Sequence, residues 1–169
     1  MRRLLAAPLH PIFTHFTIAL TAASFVFDAL GRTLDVASLS DAGWWTIAAA
    51  VPLTVGAVVS GLTSRMRLPM EEGEARRWLR SHMALGPAFL GALVAIAVWR
   101  ASLWSGGERA PWSYLAVMSG VVLLMTVQGY LGGELVYRFG AEVRGRYPRL
   151  PNARERIARP TPRTPERPA

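Results

Sequence analysis

The sequence predicts an all-α protein: a four-helix transmembrane bundle followed by a disordered C-terminal tail rich in arginine and proline. Three observations carry that expectation. The 169 residues are 51% hydrophobic with a mean hydropathy of +0.25, yet the stretch from Tyr147 onward is almost wholly polar, so the apolar residues concentrate upstream. Four apolar runs, Ile12 to Leu30, Trp44 to Leu62, Met83 to Leu103 and Trp112 to Leu131, reach the roughly 20 residues needed to cross about 30 Å of hydrocarbon at 1.5 Å per residue. No run holds more than one formally charged residue, so none shows the charged face, repeating at 3.6 residues, of a helix in a soluble bundle.

The first helix is expected over about 11–30. Pro11 suits a first helical position because its φ is fixed and it has no N–H to lose, with His10 just before it. Arg2 and Arg3 ahead of an apolar stretch with small Ala22 and Ala23 resemble a secretory signal, but the run is longer than a usual h-region and carries His15. A short polar connection, GRTLDVASLSDAG, follows. The second helix, about 44–62, opens on Trp44 and Trp45, whose indoles favour the membrane interface, and Pro52 is expected to kink it. Between Thr63 and Ser81, acidic Glu71, Glu72 and Glu74 alternate with Arg76, Arg77 and Arg80. That pattern reads as a solvated loop, with a short amphipathic helix as the alternative.

The third helix is expected over about 82–103 and the fourth over about 112–137, the latter ending in the glycine-rich QGYLGGELVYRFG. The membrane domain then occupies residues 1–142 and the tail 143–169. Interleaved prolines and arginines leave the tail nothing to bury; its charge suits anionic headgroups, and no aromatic interleaving points to nucleic acid.

All nineteen basic side chains are arginine, with a net charge of +8. Arg2 and Arg3 precede helix one, Arg65, Arg67, Arg76, Arg77 and Arg80 lie between helices two and three, and Arg138 and the tail arginines follow helix four. The opposite connections hold only Arg32 and Arg109, with Arg100 at a helix end. By the positive-inside rule both termini and the middle loop face the cytoplasm of a bacterial inner-membrane protein. The chain has no cysteine, so disulfides and thiolate metal sites are excluded. No phosphate loop, nucleophile elbow, HExxH pattern or carboxylate pair appears either, which argues against an ordinary hydrolase or kinase.

This topology collects His10, His15, His82, Glu134, Tyr137 and Arg138 near one face of the membrane, whereas the other offers Asp28. Ionisable residues at such depth are expensive and mark functional sites. Three arrangements suit the histidines. One is a b-type haem with His15 and His82 as axial ligands and His10 and Glu134 in support, although His82, bordering its apolar run, matches His10 in depth better than His15. The second is a metal or proton-relay site of His15, His82 and Glu134. The third is structural, with imidazoles bonding backbone carbonyls or headgroups, which suits His10 best as a helix-start residue. His10 and His15 lie about 140° apart around the helix, so they do not share one ligand shell. Gly129 and Gly133 form a GxxxG spacing that suits close helix packing, or room for a flat cofactor or a headgroup.

Two motifs also carry a resemblance. HPIFTHFTIAL is similar to a pattern HPxxVHFPIAL, and GYLGGELVYRFG to GxLGGxLVYxxG, both of a bacterial integral membrane family known as domain of unknown function 2231. Asp28 with Gly31, and the stretch from Arg80 to Met83, look alike too, and the match spans most of residues 8–142. The resemblance implies a compact four-helix membrane domain without an established activity; some relatives joined to cytochrome c-like domains favour a redox role by association. Thr17 departs from a proline of the pattern and Phe139 from a histidine. The functions left open are a haem b or other redox-linked binding module, an accessory subunit docked to a membrane-complex partner or to copies of itself, and, more weakly, transport of a small solute.

Overall fold

The computed structural model describes residues 9–65, 73–106 and 108–141. Four helices account for nearly all of them: α1 (Leu9–Leu34), α2 (Ala37–Arg65), α3 (Glu74–Ser105) and α4 (Trp112–Tyr137), with no strand among the described residues. Each is long and apolar enough to span a bilayer. The protein is a four-helix transmembrane bundle.

The helices form a ring in which α1 packs on α2, α2 on α3, α3 on α4 and α4 on α1; the two diagonal pairs make no close backbone approach among the described residues. Directions alternate, so the starts of α1 and α3 meet the ends of α2 and α4 at one end of the bundle, called here the His end. Ile47, Leu93, Tyr114 and Met118 are fully buried at the centre. By contrast, Ile12, Phe16, Val26 and Leu30 of α1 face outward, while the residues that α1 buries are Thr17, Thr21, Ser24, Asp28 and Gly31. That inversion fits lipid as the solvent, because hydrocarbon offers apolar side chains no reason to hide and polar side chains every reason to.

Three of the helices run beyond their expected limits. The polar stretch after Gly31 is not a loop: α1 continues to Leu34 and α2 begins at Ala37, leaving Asp35 and Val36 between them. Asp35 adopts a left-handed φ of 60° and the Val36 N–H reaches back 3.2 Å to the Gly31 carbonyl, a Schellman-type end that turns the chain at once into α2. The loop expected up to Ser81 is helical from Glu74, where the carboxylate suits the positive helix start. Pro52 lies inside α2 and Pro87 inside α3. At the C-terminal end of α4, Gly140 has φ 69°. The expected charges at Arg2, Arg3, Arg67, Glu71 and Glu72, and the tail over 143–169, lie outside the described residues.

Candidate functional site

At the His end, α1 and α3 sit diagonally across the ring, and two imidazoles bridge the space between them. The rings of His10 and His82 have centroids 6.4 Å apart at 90°. Each is held by a backbone carbonyl of a neighbouring helix: His10 Nδ1 lies 2.8 Å from Ala57 O on α2, and His82 Nδ1 lies 3.2 Å from Gln128 O on α4. A carbonyl only accepts, so each Nδ1 donates its proton, and in the neutral ring Nε2 is then the acceptor nitrogen. Metal-ligating histidines are commonly oriented in this way, with the nitrogen away from the metal donating to a backbone carbonyl.

Glycine makes both positions accessible. A Cβ on Gly61 would stand 3.0 Å from His10 Cε1, and one on Gly132 would stand 3.1 Å from His82 Cε1, so each ring lies against a bare stretch of the adjoining helix. Gln128 completes the site: its Nε2 donates to His82 O at 3.0 Å and stands 3.5 Å from His82 Nε2, while its buried Oε1 has no partner. A cavity of about 420 Å³ extends from these groups into the bundle, past Thr14, Thr17 and Thr54, with Phe89 and Met125 among its apolar walls.

The candidate residues of the sequence therefore gather at one end, but in a different pairing. The imidazole opposite His82 belongs to His10, not His15. Because α1 begins at Leu9, His10 lies within the helix and faces α2, whereas His15, which also lines the cavity, is exposed and its Nδ1 bonds Pro11 O of its own helix at 2.6 Å. The set of His15, His82 and Glu134 is not assembled, and no group of three or more His, Asp or Glu comes together as a metal site among the described residues. Glu134 instead lies 3.9 Å from Arg138, whose guanidinium is 3.0 Å from Glu74 and stacks over Trp78 and Phe139. Tyr137 lines the cavity mouth.

Gly129 and Gly133 also line the cavity, and neither makes a close helix crossing. The nearest contact for a Cβ at Gly129 is Ile18 Cδ1 at 3.8 Å, and at Gly133 only Tyr137 of the same helix at 4.0 Å. The spacing makes room instead of contact.

A second polar centre, of which the sequence expectation held only Asp28, occupies the opposite end. Arg100 Nε lies 3.1 Å from both Asp28 oxygens, and its Nη2 donates to Ser40 O at 2.7 Å and Ser40 Oγ at 2.8 Å. Asp28 is 1% exposed and Arg100 0%. Outside this pair, Arg109 and Asp35 form an ion pair at the surface, and Trp44, Trp45 and Trp104 cluster with centroids 5.4 to 6.1 Å apart, the indole of Trp104 donating to Asp41 at 3.1 Å.

The helices and both polar centres fall within residues 6–145, the stretch matched by the family described as Predicted membrane protein (DUF2231). The chain belongs to this family. No curated protein and no solved structure matches it.

Proposed function

We propose that the protein is a cofactor-binding membrane module in which His10 and His82 supply two imidazole nitrogens to one metal centre, a b-type haem being the form that the cavity suits. One observation carries this: two imidazoles from diagonal helices, each with Nδ1 tied to a carbonyl of a neighbouring helix, have ring centroids 6.4 Å apart. An ion about 2.0–2.1 Å from each of two opposed imidazole nitrogens separates the ring centroids by roughly 6 Å. Two lone pairs call for an electron-pair acceptor, which favours a metal over a carbonyl-bearing ligand. The adjoining cavity of about 420 Å³ is within the usual range of roughly 300–1,000 Å³ for such sites, and its apolar lining suits a flat macrocycle. When bound, such a centre supplies one-electron chemistry; the chain's own part is to hold the imidazoles, fix their tautomer and exclude water.

Visible spectroscopy with and without dithionite tests this on protein purified from haem-replete cells, together with elemental analysis. A Soret band, or a metal bound one to one, is expected. His10→Ala and His82→Ala should each abolish it, and His15→Ala should leave it in place. Protein with neither haem nor a stoichiometric metal, or equal loss in all three variants, overturns the proposal.

The same proposal places the His end on the cytoplasmic side of a bacterial inner membrane, on the strength of its arginines. With no native cysteine, single substitutions report side cleanly. In intact cells an impermeant maleimide should label exposed Ser105→Cys and not exposed Ser81→Cys; the reverse pattern would invert the orientation.

A further inference from the structure

The cavity at the His end has a side opening. Of the helix pairs that meet around the ring, α1 and α4 approach each other least, and there α4 presents bare backbone. A Cβ on Gly129 would meet only Ile18 Cδ1 of α1, at 3.8 Å, and one on Gly133, a turn further along the same face, would meet no atom of α1 within 4 Å. Pro11, His15 and Ile18 line the cavity from α1, and Gly129, Gly133 and Val136 from α4. His15 and Val136 are also exposed on the outside of the bundle, whereas Phe89 and Met125 of the inner wall are buried. The cavity therefore passes between the two helices and out.

That opening faces lipid. Arg77 and Arg80 are exposed just ahead of His82, which sets the water boundary near the level of the His10 and His82 rings. From His10 to Ile18 α1 rises about 12 Å, most of the roughly 15 Å of hydrocarbon in one leaflet. An imidazole is expensive in such a place. His15, about 7 Å of rise past His10, bonds Pro11 O through Nδ1 at 2.6 Å, and its Nε2 has no partner among the described residues. On α4, Gln128 donates its amide N–H to His82 O at 3.0 Å, while its Oε1 is the one buried side-chain atom of the cavity lining that lacks a partner. In the neutral imidazole Nε2 accepts, and an amide oxygen only accepts. Both groups call for a donor, since an acceptor left unpaired away from water costs free energy.

We infer that the opening between α1 and α4 binds a lipid-soluble hydroquinone, a flat ring with two hydroxyls and an apolar tail. One hydroxyl donates to His15 Nε2 and the other to Gln128 Oε1. The ring lies against the bare backbone of Gly129 and Gly133, and the tail extends into the leaflet. Two separate acceptors call for two hydroxyls, which a sterol or a fatty alcohol, with one, does not supply. No arginine is among the described residues that line the cavity, so nothing there would neutralise the phosphate or carboxylate of an anionic lipid. The site lies beside the His10 and His82 pair and does not depend on what that pair binds.

The full chain in phosphatidylcholine nanodiscs tests it. Because there is no native cysteine, a bimane on Val136→Cys reports on the opening alone, and titration with a decyl-substituted hydroquinone, kept reduced under argon, should change its emission saturably. The same probe on Ser113→Cys, exposed near the other end of α4, should show only linear partition into lipid. The dimethyl ether of the ligand, which keeps the shape and loses both donors, should bind about ten-fold or more weakly. His15→Phe, which keeps a ring and loses the acceptor, should weaken binding comparably, and Gly129→Leu with Gly133→Leu, which fills the opening, should abolish it. A response that does not saturate, that saturates equally at Ser113→Cys, that survives the two leucines or His15→Phe, or that is as strong for the ether overturns the site. The ether needs no substitution among the binding residues, so it decides alone if a variant fails to fold.

Discussion

Arg100→Met should destabilise the bundle by about 3–5 kcal/mol, because it leaves the Asp28 carboxylate buried without its counter-charge. The guanidinium reaches Asp28 and Ser40 together, tying the end of α3 to the end of α1 and the start of α2. Arg100→Lys should recover little, since an ammonium lacks the planar fork that serves the carboxylate and Ser40 at once. The double variant Asp28→Asn with Arg100→Met should be more stable than the sum of the two single losses predicts, because neither leaves a lone charge behind. Unfolding in mixed micelles of rising SDS fraction, followed by tryptophan fluorescence, measures all four. Wild-type stability in Arg100→Met would show that the pair does not hold the bundle.

Gly43→Ala should be nearly as damaging. A Cβ there would stand 2.5 Å from Asp28 Oδ1 and 2.6 Å from its Cγ, and the carboxylate cannot swing aside while Arg100 grips both oxygens. Overpacking of this kind costs typically about 1–3 kcal/mol and sometimes more. Gly91→Ala provides the contrast, since nothing lies within 4 Å of the added methyl; there a glycine in mid-helix gives way to the best helix former, a gain of up to about 1 kcal/mol. The cost of Gly43→Ala should fall when Arg100 is already methionine, because the carboxylate is then free to move. The same SDS titration measures it, and equal costs in the two backgrounds would mean that the methyl is accommodated without disturbing the pair.

Much of the fold was legible because hydrocarbon thickness sets a minimum length that soluble cores do not impose, and all four apolar runs met it. Their ends were less so. Asp35, a polar residue able to take a left-handed φ, turns the chain in a way that leaves GRTLDVASLSDAG helical on both sides, and Glu74 to Ser81 carry enough charge to look like a loop while sitting on a helix. The convergence of His10, His82 and Gly129 followed from topology alone. The pairing of His10 with His82 was legible only in depth, where His82 matches His10 better than His15; the rest depends on which face of α1 meets α2, and Gly61, Gly132 and Gln128 declare themselves only once helices are set against each other. Arg100 was counted as a loop charge at a helix end. A better signal was present: Asp28 and Arg100 are each the single charge in an otherwise apolar run, and opposite charges at like depth seek each other.

The tight turn at Asp35 and Val36 bears on how the chain is made. With two residues between them, α1 and α2 leave the ribosome as one hairpin, and Ser40 and Gly43 arrive beside Asp28 almost as soon as it enters the membrane. Its counter-ion does not. Arg100 lies 72 residues downstream, so at about 5–20 residues per second it is synthesised roughly 4–14 seconds later. For that interval the hairpin holds an acidic group matched only by hydroxyls and backbone, and the arrival of α3 is what commits the first half of the protein to its final place.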